Sequence, residues 1–174
     1  VETRIKARYP GITKIPTVHR LDMDTSGLLV MALTKRAKRE LMAQFQERQV
    51  GKRYIALIGG EVDEEGGVIS LPLRMDKDNR PYHLVDWENG REAVTHWRVL
   101  GLENGVTRVE FTPQTGRTHQ LRLHALHGLG FPIVGDRLYG TGTAPGQLKL
   151  HAAFLRFQHP KTKEFLEFTS EPSF

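Results

Sequence analysis

The stretch HRLDMDTSG, residues 19–27, stands immediately before an apolar run, LLVMAL, at residues 28–33. Thr25-Ser26-Gly27 is typical of a turn, because glycine adopts backbone angles that other residues avoid and hydroxyls bond nearby amides. The pattern predicts a tight loop that leads into a buried strand and holds a polar side chain rigidly. Asp22 or Asp24 is then either a reactive group or a cap of the turn, and spacing alone leaves both open.

Length and composition limit the class of protein. A chain of 174 residues is long enough for one domain with its own core, and 39% hydrophobic residues are ordinary for a globular protein. No apolar stretch reaches bilayer length, and no amino-terminal signal pattern is present. The sequence has no cysteine, which excludes disulfides and thiolate metal sites. We therefore expect a cytoplasmic protein without a membrane partner.

Positive charge is concentrated in the first third of the chain. Residues 1–53 hold twelve Lys and Arg against five Asp and Glu, whereas the remainder holds thirteen against fifteen. Such a segment attracts polyanions, although a solvated helix face has the same composition. Because the polar loop at residues 19–27 lies in this basic segment, the combination favours a nucleic-acid substrate.

A helix is predicted at residues 35–49, with Thr34 as its N-cap. One side of this helix carries Ala37, Leu41, Gln44, Phe45 and Arg48. The first turn and a half carries Lys35, Arg36, Lys38 and Arg39. Because cations at a helix N-terminus oppose the macrodipole, this end favours an anionic neighbour.

Short strands separated by turns account for most of the remaining chain. Asn104-Gly105 is a strong hairpin signal, residues 117–127 have a helical pattern, and residues 74–91 suit a surface loop with one short strand. The predicted strands are residues 53–58, 68–71, 94–102, 106–111, 154–157 and 165–168. The expected fold class is α+β, a mixed and mainly antiparallel sheet with a few packed helices.

A second polar cluster, TGRTHQLRLH, lies at residues 115–124 near the start of the predicted helix. An arginine from this segment, Arg117 or Arg122, could reach Asp22 across the sheet. A guanidinium beside a carboxylate favours the ionised form, which would leave the aspartate charged and nucleophilic at neutral pH. A structural ion pair is the alternative interpretation.

The histidines do not form a convincing metal motif. His119, His124 and His127 are five and three residues apart, and on a helix those gaps scatter the side chains. The sequence has no HExxH pattern, no phosphate-binding glycine loop and no GxSxG elbow. We therefore expect no metal and no nucleotide cofactor. Tyr54 is either a stacking surface for an unpaired base beside the basic segment or an ordinary half-buried strand tyrosine.

Taken together, these segments resemble the RluA family of pseudouridine synthases, collinearly over nearly the whole chain. The matching motifs are HRLDMDTSG (19–27), KRYIAL (52–57), TGRTHQLRLH (115–124), PIVGDRLYG (132–140) and LHAAFLRFQHP (150–160). The resemblance implies the pseudouridine synthase catalytic fold, with residues 1–174 as a single catalytic domain. That domain would lack the family's first strand and lysine-proline motif and would have no separate RNA-binding domain.

The resemblance also implies roles for individual residues. Asp22 matches the family's nucleophile, and Tyr54 matches the tyrosine that packs on the target uracil and is a candidate to assist proton removal from C5. Arg122 matches the arginine that pairs with the aspartate, and Arg20 matches one that replaces the flipped base. Leu123 is placed in the pocket wall. The RNA-binding set expected from the motifs and the basic segment is Arg20, Lys35, Arg36, Arg39 and Arg117.

The implied reaction detaches uracil from ribose at N1 and rejoins it through C5, a redox-neutral change that needs no cofactor. Asp22 would attack either ribose C1′ or uracil C6. The loop Asp78-Asn79-Arg80-Pro81 and the lack of a preceding RNA-binding module most resemble the branch that modifies 23S ribosomal RNA, some members of which also modify a tRNA anticodon stem-loop. We expect a monomer. Two alternatives stay open, namely a non-catalytic RNA-binding module with the same fold and a metal-dependent hydrolase that uses the histidines.

Overall fold

The computed structural model describes residues 1–174, which form three helices and eight strands. In chain order these elements are α1 (Glu2–Arg8), β1 (Ser26–Gly27), α2 (Lys35–Gln46), β2 (Gly51–Ile58), β3 (Gly66–Met75), β4 (His83–Val85), β5 (Arg91–Glu103), β6 (Val106–Pro113), α3 (Gln120–Gly128), β7 (Leu150–Gln158) and β8 (Phe165–Thr169). None of the helices has the length and apolar character needed to cross a membrane.

All eight strands belong to one sheet. The order along the sheet is β1-β7-β2-β6-β5-β3-β4, and β8 pairs with the second half of β7. The β1–β7 pair is parallel, and every other pair is antiparallel. The prediction of a mixed, mainly antiparallel sheet with a few packed helices is confirmed.

The central hairpin forms where the sequence predicts it. Asn104 and Gly105 have φ angles of 53° and 74°, the left-handed pair that a two-residue turn between twisted strands requires. The flanking strands, β5 and β6, are longer than predicted and extend to Arg91 and Pro113. The turn closes one end of the hairpin. At the opposite end, the chain leaves β6 after Pro113 and enters the site described below.

The apolar run at residues 28–33 is not a strand, and that prediction is wrong. Its amides are satisfied by other partners, since Val30 N–H donates to the His19 ring at 3.0 Å and Ala32 N–H donates to Pro16 O at 2.8 Å. The parallel strand β1 lies just before the run. A Cβ at Gly27 (φ +103°) would overlap the backbone of Ala152, so only glycine allows this approach.

Helix α2 begins as predicted and ends earlier. The Thr34 hydroxyl accepts from Ala37 N–H at 3.1 Å, which confirms the N-cap. The helix ends at Gln46 rather than Gln49, and Arg48 lies beyond it in a left-handed conformation with an exposed side chain, so its placement on the same helix side as Leu41 is wrong. Gln44 fixes the helix to β7, because its amide both donates to and accepts from the backbone of Gln158.

Helix α3 starts three residues later than predicted. His119 adopts a left-handed conformation (φ 56°), and the Gln120 side chain bonds both the Thr115 hydroxyl at 2.7 Å and Arg117 N–H at 2.9 Å. Residues 115–119 are therefore a turn locked by Gln120. This turn lies at the amino end of α3, where it faces the end of β6.

Three apolar clusters pack against the sheet, and the two larger ones flank the candidate site. The larger one packs α3 and the segment before β7 against the central strands, with Phe111, Ile58 and Ile133 fully buried. The second packs α2 against β7 through Leu41 and Leu155. The candidate site lies between these two clusters, so a rigid core on each side supports it.

Candidate active site

A cleft with a volume of about 900 Å³ lies between the loop at residues 18–25, the second half of α2 and the ends of β2 and β6. The turn at residues 112–118 and the start of α3 complete its wall. The charged residues that line it are Arg20, Asp22, Arg48, Lys52 and Arg117. The cleft therefore holds one carboxylate among four cations.

Asp22 is mostly buried, with 17% of its side chain exposed. Its carbonyl accepts from Thr25 N–H at 3.1 Å, which closes the turn after it. Asp24 anchors the far side of this turn, since its carboxylate lies 3.4 Å from Arg137 Nε and accepts from Gly146 N–H. The loop thus presents Asp22 to the cleft and Asp24 to a different partner.

Arg122 approaches Asp22 from α3, with 3.8 Å between its Nη1 and Asp22 Oδ2. Burial raises the pKa of Asp22 above its usual value, and the positive charges of Arg122 and Arg20 only partly oppose this shift. The charge of Arg122 favours the ionised form of Asp22, as the sequence predicts, but desolvation is the larger effect and leaves the pKa of Asp22 raised. A desolvated carboxylate anion is also less masked by water, which favours nucleophilic attack.

Asp136 is a site residue that the sequence reasoning missed. Its carboxylate binds Arg122 with two short hydrogen bonds, 2.7 Å from Nε and 2.6 Å from Nη2, and its side chain is fully buried. Asp136 lies in PIVGDRLYG, one of the motifs that carry the resemblance, but the sequence alone predicts no role for it. An isolated aspartate after a glycine is typical of a turn, so composition alone could not identify it.

The predicted histidines do not converge. His119 is buried beside Tyr139, with 2.7 Å between its Nδ1 and the phenol oxygen, and burial lowers its pKa to about 4. His124 is fully buried inside α3, where neither ring nitrogen has a hydrogen-bond partner, and His127 is exposed at the end of the helix. No group of three or more potential metal ligands comes together.

Tyr54 lies in β2 at a break in strand register. Arg53 pairs with Phe154 and Tyr54 pairs with Ala152, so β7 has one extra residue at this point. Such a bulge redirects the side chains around it, and here Tyr54 lines the cleft. Burial and the nearby Asp22 charge raise the pKa of Tyr54 to about 12, and its hydroxyl makes no hydrogen bond within the protein.

Four of the five predicted RNA-binding residues line one of two cavities. Arg20 and Arg117 line the cleft, together with Arg48 and Lys52, which the sequence reasoning did not select. Burial lowers the pKa of Lys52. Lys35 and Arg39 instead line a neighbouring basic groove, which has a volume of about 540 Å³. The structure does not bring Arg36 into either cavity, although its side chain is exposed.

Leu123 is not in the pocket wall, and that prediction is wrong. It is fully buried with Leu73 and Ala93 on the inner side of α3. Leu121, two residues earlier, faces the cleft instead. Burial of Leu123 therefore anchors α3 at the position next to Arg122, the residue that reaches Asp22.

His19 anchors the loop that carries Asp22. Its ring stacks on Phe45 of α2 with 4.5 Å between centroids, and its Nε2 accepts from Val30 N–H. Burial and the nearby Lys52 charge lower the pKa of His19 to about 4, so the ring is neutral at physiological pH. This neutral ring connects the loop, α2 and the extended run at residues 28–33.

Comparisons with known proteins identify the family of this chain. Residues 2–127 match the family model for RNA pseudouridylate synthase. The chain is 47% identical to the dual-specificity RNA pseudouridine synthase RluA of Pasteurella multocida strain Pm70, over 99% of this chain and 78% of that protein. It is 43% identical to the protein of the same name in Escherichia coli K12, over 100% of this chain and 80% of that protein.

A solved structure gives the same result. The structure of human RNA pseudouridylate synthase domain containing 1 is similar with a TM-score of 0.81 and 35% identity, over 98% of this chain and 73% of that one. The chain therefore belongs to the RNA pseudouridylate synthase family. Within that family it is a member of the RluA type and an isomerase that acts on RNA, which confirms the resemblance stated from the motifs.

Proposed function

We propose that this protein converts specific uridines to pseudouridine in 23S ribosomal RNA and in a tRNA anticodon stem-loop, with Asp22 as the nucleophile. The observation that carries the proposal is the single, mostly buried carboxylate in a cleft whose other charged side chains are all cationic. Two relatives that span this whole chain are named dual-specificity RNA pseudouridine synthases, which supports more than one RNA substrate. We also propose that residues 1–174 act as one catalytic domain, because all strands share one sheet.

The reaction exchanges one bond between base and sugar for another. The N1–C1′ bond breaks, a C5–C1′ bond forms, the proton on C5 leaves, and N1 gains a proton. No atom is oxidised or reduced overall, so the chemistry requires only a nucleophile, a route for the proton and a site that holds the detached base. Attack by Asp22 at C1′ would join its carboxylate to the ribose, and attack at C6 would join it to the uracil. Both routes therefore pass through a covalent intermediate with the protein.

The target base must leave the helical stack before Asp22 can reach its glycosidic bond. The cleft volume of about 900 Å³ is in the range that accommodates a small-molecule ligand. Arg20 is exposed at the mouth of the cleft, only two residues before Asp22. We place its guanidinium in the gap that the extruded base leaves behind.

Tyr54 provides both a ring surface and an oxygen for proton transfer. Because its pKa is about 12, the phenol carries its own proton at neutral pH. It can therefore accept the C5 proton only while it passes its own proton to a neighbouring acceptor, and Asp22 is the anionic group whose charge affects Tyr54. The free hydroxyl, which has no protein hydrogen bond, is consistent with this role.

Tyr54→Phe is expected to reduce single-turnover isomerisation by roughly 10²-fold or more, because the ring is kept and the proton-transferring oxygen is removed. RNA affinity should stay within about threefold of wild type, since ring stacking is unchanged. Rapid-quench rates and a binding titration on the same transcript measure the two quantities. A Tyr54→Phe enzyme at the wild-type rate would restrict Tyr54 to a packing role.

The neighbouring basic groove provides a path for the RNA backbone. Lys14, Lys38 and Arg39 line it, and neither they nor Lys35 pair with any carboxylate. Met42 and Gln46 line both the groove and the cleft, so the two cavities are adjacent. The first turn of α2 contains no acidic residue, and its helix dipole adds to the positive field. We place phosphates next to the target uridine along this groove, with Arg36 as a flanking cation.

The double variant Lys35→Gln/Arg39→Gln is expected to weaken RNA binding and to lower the slope of log affinity against log salt by about 2, because each substitution removes one cation that neutralises a phosphate. Turnover at saturating RNA should be unchanged, because neither side chain lines the cleft. The matched control, Lys77→Gln/Lys161→Gln, removes two exposed cations outside both cavities. An equal slope in the two double variants would refute this path.

Incubation of the purified protein with transcribed 23S RNA and tRNA tests the proposed function. Carbodiimide treatment followed by primer extension should find new stops at single uridines in each RNA. Binding of both RNAs without any new stop would indicate a non-catalytic RNA-binding module. Modification of one RNA alone would overturn the dual substrate range while leaving the isomerase assignment intact.

A further inference from the structure

Arg122 makes its strongest contacts with Asp136 rather than with Asp22. Two of its nitrogens, Nε and Nη2, donate to the two oxygens of Asp136 at 2.7 and 2.6 Å. Only Nη1 approaches Asp22, and its 3.8 Å distance is too long for a hydrogen bond. The arginine is therefore shared unequally between two carboxylates.

Asp136 is itself rigidly held. Its Oδ1 also accepts from the backbone N–H groups of Leu138 and Tyr139, at 2.8 and 3.0 Å. Its side chain is fully buried and does not line the cleft. This carboxylate cannot contact RNA in the cleft, yet it determines where the guanidinium of Arg122 lies.

Tyr139 packs against the guanidinium from another direction. The Arg122 guanidinium carbon lies 5.0 Å from the Tyr139 ring centroid, a cation–π distance. The Tyr139 hydroxyl accepts from His83 N–H at 2.8 Å and bonds His119 Nδ1 at 2.7 Å. Asp136 and Tyr139 together therefore fix the plane of the Arg122 guanidinium.

We propose that Asp136 is a positioning residue for isomerisation, because it fixes the Arg122 plane and leaves Asp22 with a single, longer charge contact. A bidentate arginine pair would occupy both oxygens of Asp22 and make it a weaker nucleophile. With Asp136 as the main partner, Arg122 supports the charge of Asp22 without covering its oxygens. This inference rests on the proposed role of Asp22 as the nucleophile.

The charge of Asp22 depends on groups from several elements. Those facing it are Arg122 from α3, Arg20 from its own loop, His83 from β4, Tyr54 from β2, and Asp136 and Tyr139 from the segment between α3 and β7. Among them the negative charge of Asp136 opposes ionisation of Asp22, and the positive charges of Arg122 and Arg20 favour it. Removal of the Asp136 charge would therefore lower the pKa of Asp22.

Asp136→Asn tests the proposal, since asparagine keeps the shape and one acceptor oxygen. Its amide NH₂ would face Arg122 Nε, donor against donor, so the guanidinium would turn towards Asp22. We expect the single-turnover rate to fall at least tenfold at neutral pH, with RNA affinity within twofold of wild type. In the plot of rate against pH, the acid limb should move to a pH that is lower by about 0.5 to 1 unit.

Asp24→Asn is the matched control, because Asp24 is on the same loop but pairs with Arg137 and does not contact Arg122. Its acid limb should coincide with that of wild type. If Asp136→Asn does not fold, Asp136→Glu keeps the charge and displaces the guanidinium, and we expect a slower rate with an acid limb that moves less than 0.5 pH unit, about the lower bound expected for Asp136→Asn. Folded Asp136 variants with wild-type rates and profiles would overturn the proposal, whereas isomerisation by Asp22→Asn would instead overturn the proposed function.

Discussion

Asp22→Asn is expected to abolish isomerisation while the fold and RNA binding stay intact. An amide is a poor nucleophile, so the rate should fall by roughly 10³-fold or more, the scale seen when a covalent nucleophile is removed. Asparagine has the same shape, and the turn depends on the backbone bond from Thr25 N–H to Asp22 O, which the substitution keeps. Carbodiimide primer extension measures product, and circular dichroism and a binding titration measure fold and affinity.

Asp24→Asn is the control for this prediction, since it removes a carboxylate two residues away that faces Arg137 and Gly146. The Arg137 partner is partly exposed, so removal of the pair should cost no more than about 1 kcal/mol of stability and less than tenfold in rate. Substantial product from Asp22→Asn would contradict the nucleophile assignment. Equal inactivation of both variants would show that the loop, rather than Asp22 itself, is required.

Arg122→Ala is expected to have the second largest effect, on both turnover and stability. Removal of the guanidinium leaves the fully buried Asp136 carboxylate without a counter-ion, which typically costs about 3 to 5 kcal/mol. Asp22 is also deprived of the main positive charge that supports its ionised form, so the acid limb of the rate profile should move to higher pH. Turnover should fall more than RNA affinity, because Arg122 lies behind Asp22 and does not line the cleft.

Chemical denaturation, single-turnover rates across pH and a binding titration together test the Arg122 prediction. Arg137→Ala is the control, as it removes an exposed arginine that pairs with Asp24. The double variant Arg122→Ala/Asp136→Ala should be less destabilised than the sum of the single variants, because neither charge is left alone. Equal decreases of rate and affinity in Arg122→Ala would contradict its role beside Asp22.

Local signals in the sequence predicted much of the fold correctly. The Asn104-Gly105 turn and the Thr34 cap depend on backbone conformations and hydrogen bonds within a few residues, so their residue types identify them. The strand pattern from β2 to β8 follows short apolar runs between turns. The sheet order, in contrast, depends on contacts between distant segments, and no periodicity contains that information.

The errors have a common physical origin in tertiary contacts. The run at residues 28–33 has the composition of a strand, but only its first residue bonds one, through Leu28 N–H to Ala152 O of β7. Farther along, the amides of Val30 and Ala32 bond the His19 ring and Pro16 O instead. The helix pattern before α3 was overridden by the Gln120 side chain, which locks residues 115–119 into a turn. Helix α1 (Glu2–Arg8) was not predicted, because its short segment buries no residue and has no apolar stripe.

The candidate site was predictable where a motif marked it and not elsewhere. The sequence placed Asp22 and Arg122 in motifs 100 residues apart, and the structure brings their side chains within 3.8 Å. The role of Asp136 could not be predicted, because its buried ion pair depends on the direction of the Arg122 side chain, which the sequence does not specify. The direction of the Asp22 pKa shift was also hidden, since it depends on burial more than on the neighbouring charge.

The most direct test of the central claim follows the hydrogen on C5 of the target uridine. Isomerisation must release that hydrogen, because C5 becomes bonded to ribose. With RNA that contains [5-³H]uridine, we expect the wild-type protein to release one tritium for each modified site and Asp22→Asn to release none above background. Tritium release by Asp22→Asn at a rate near that of wild type would contradict the account.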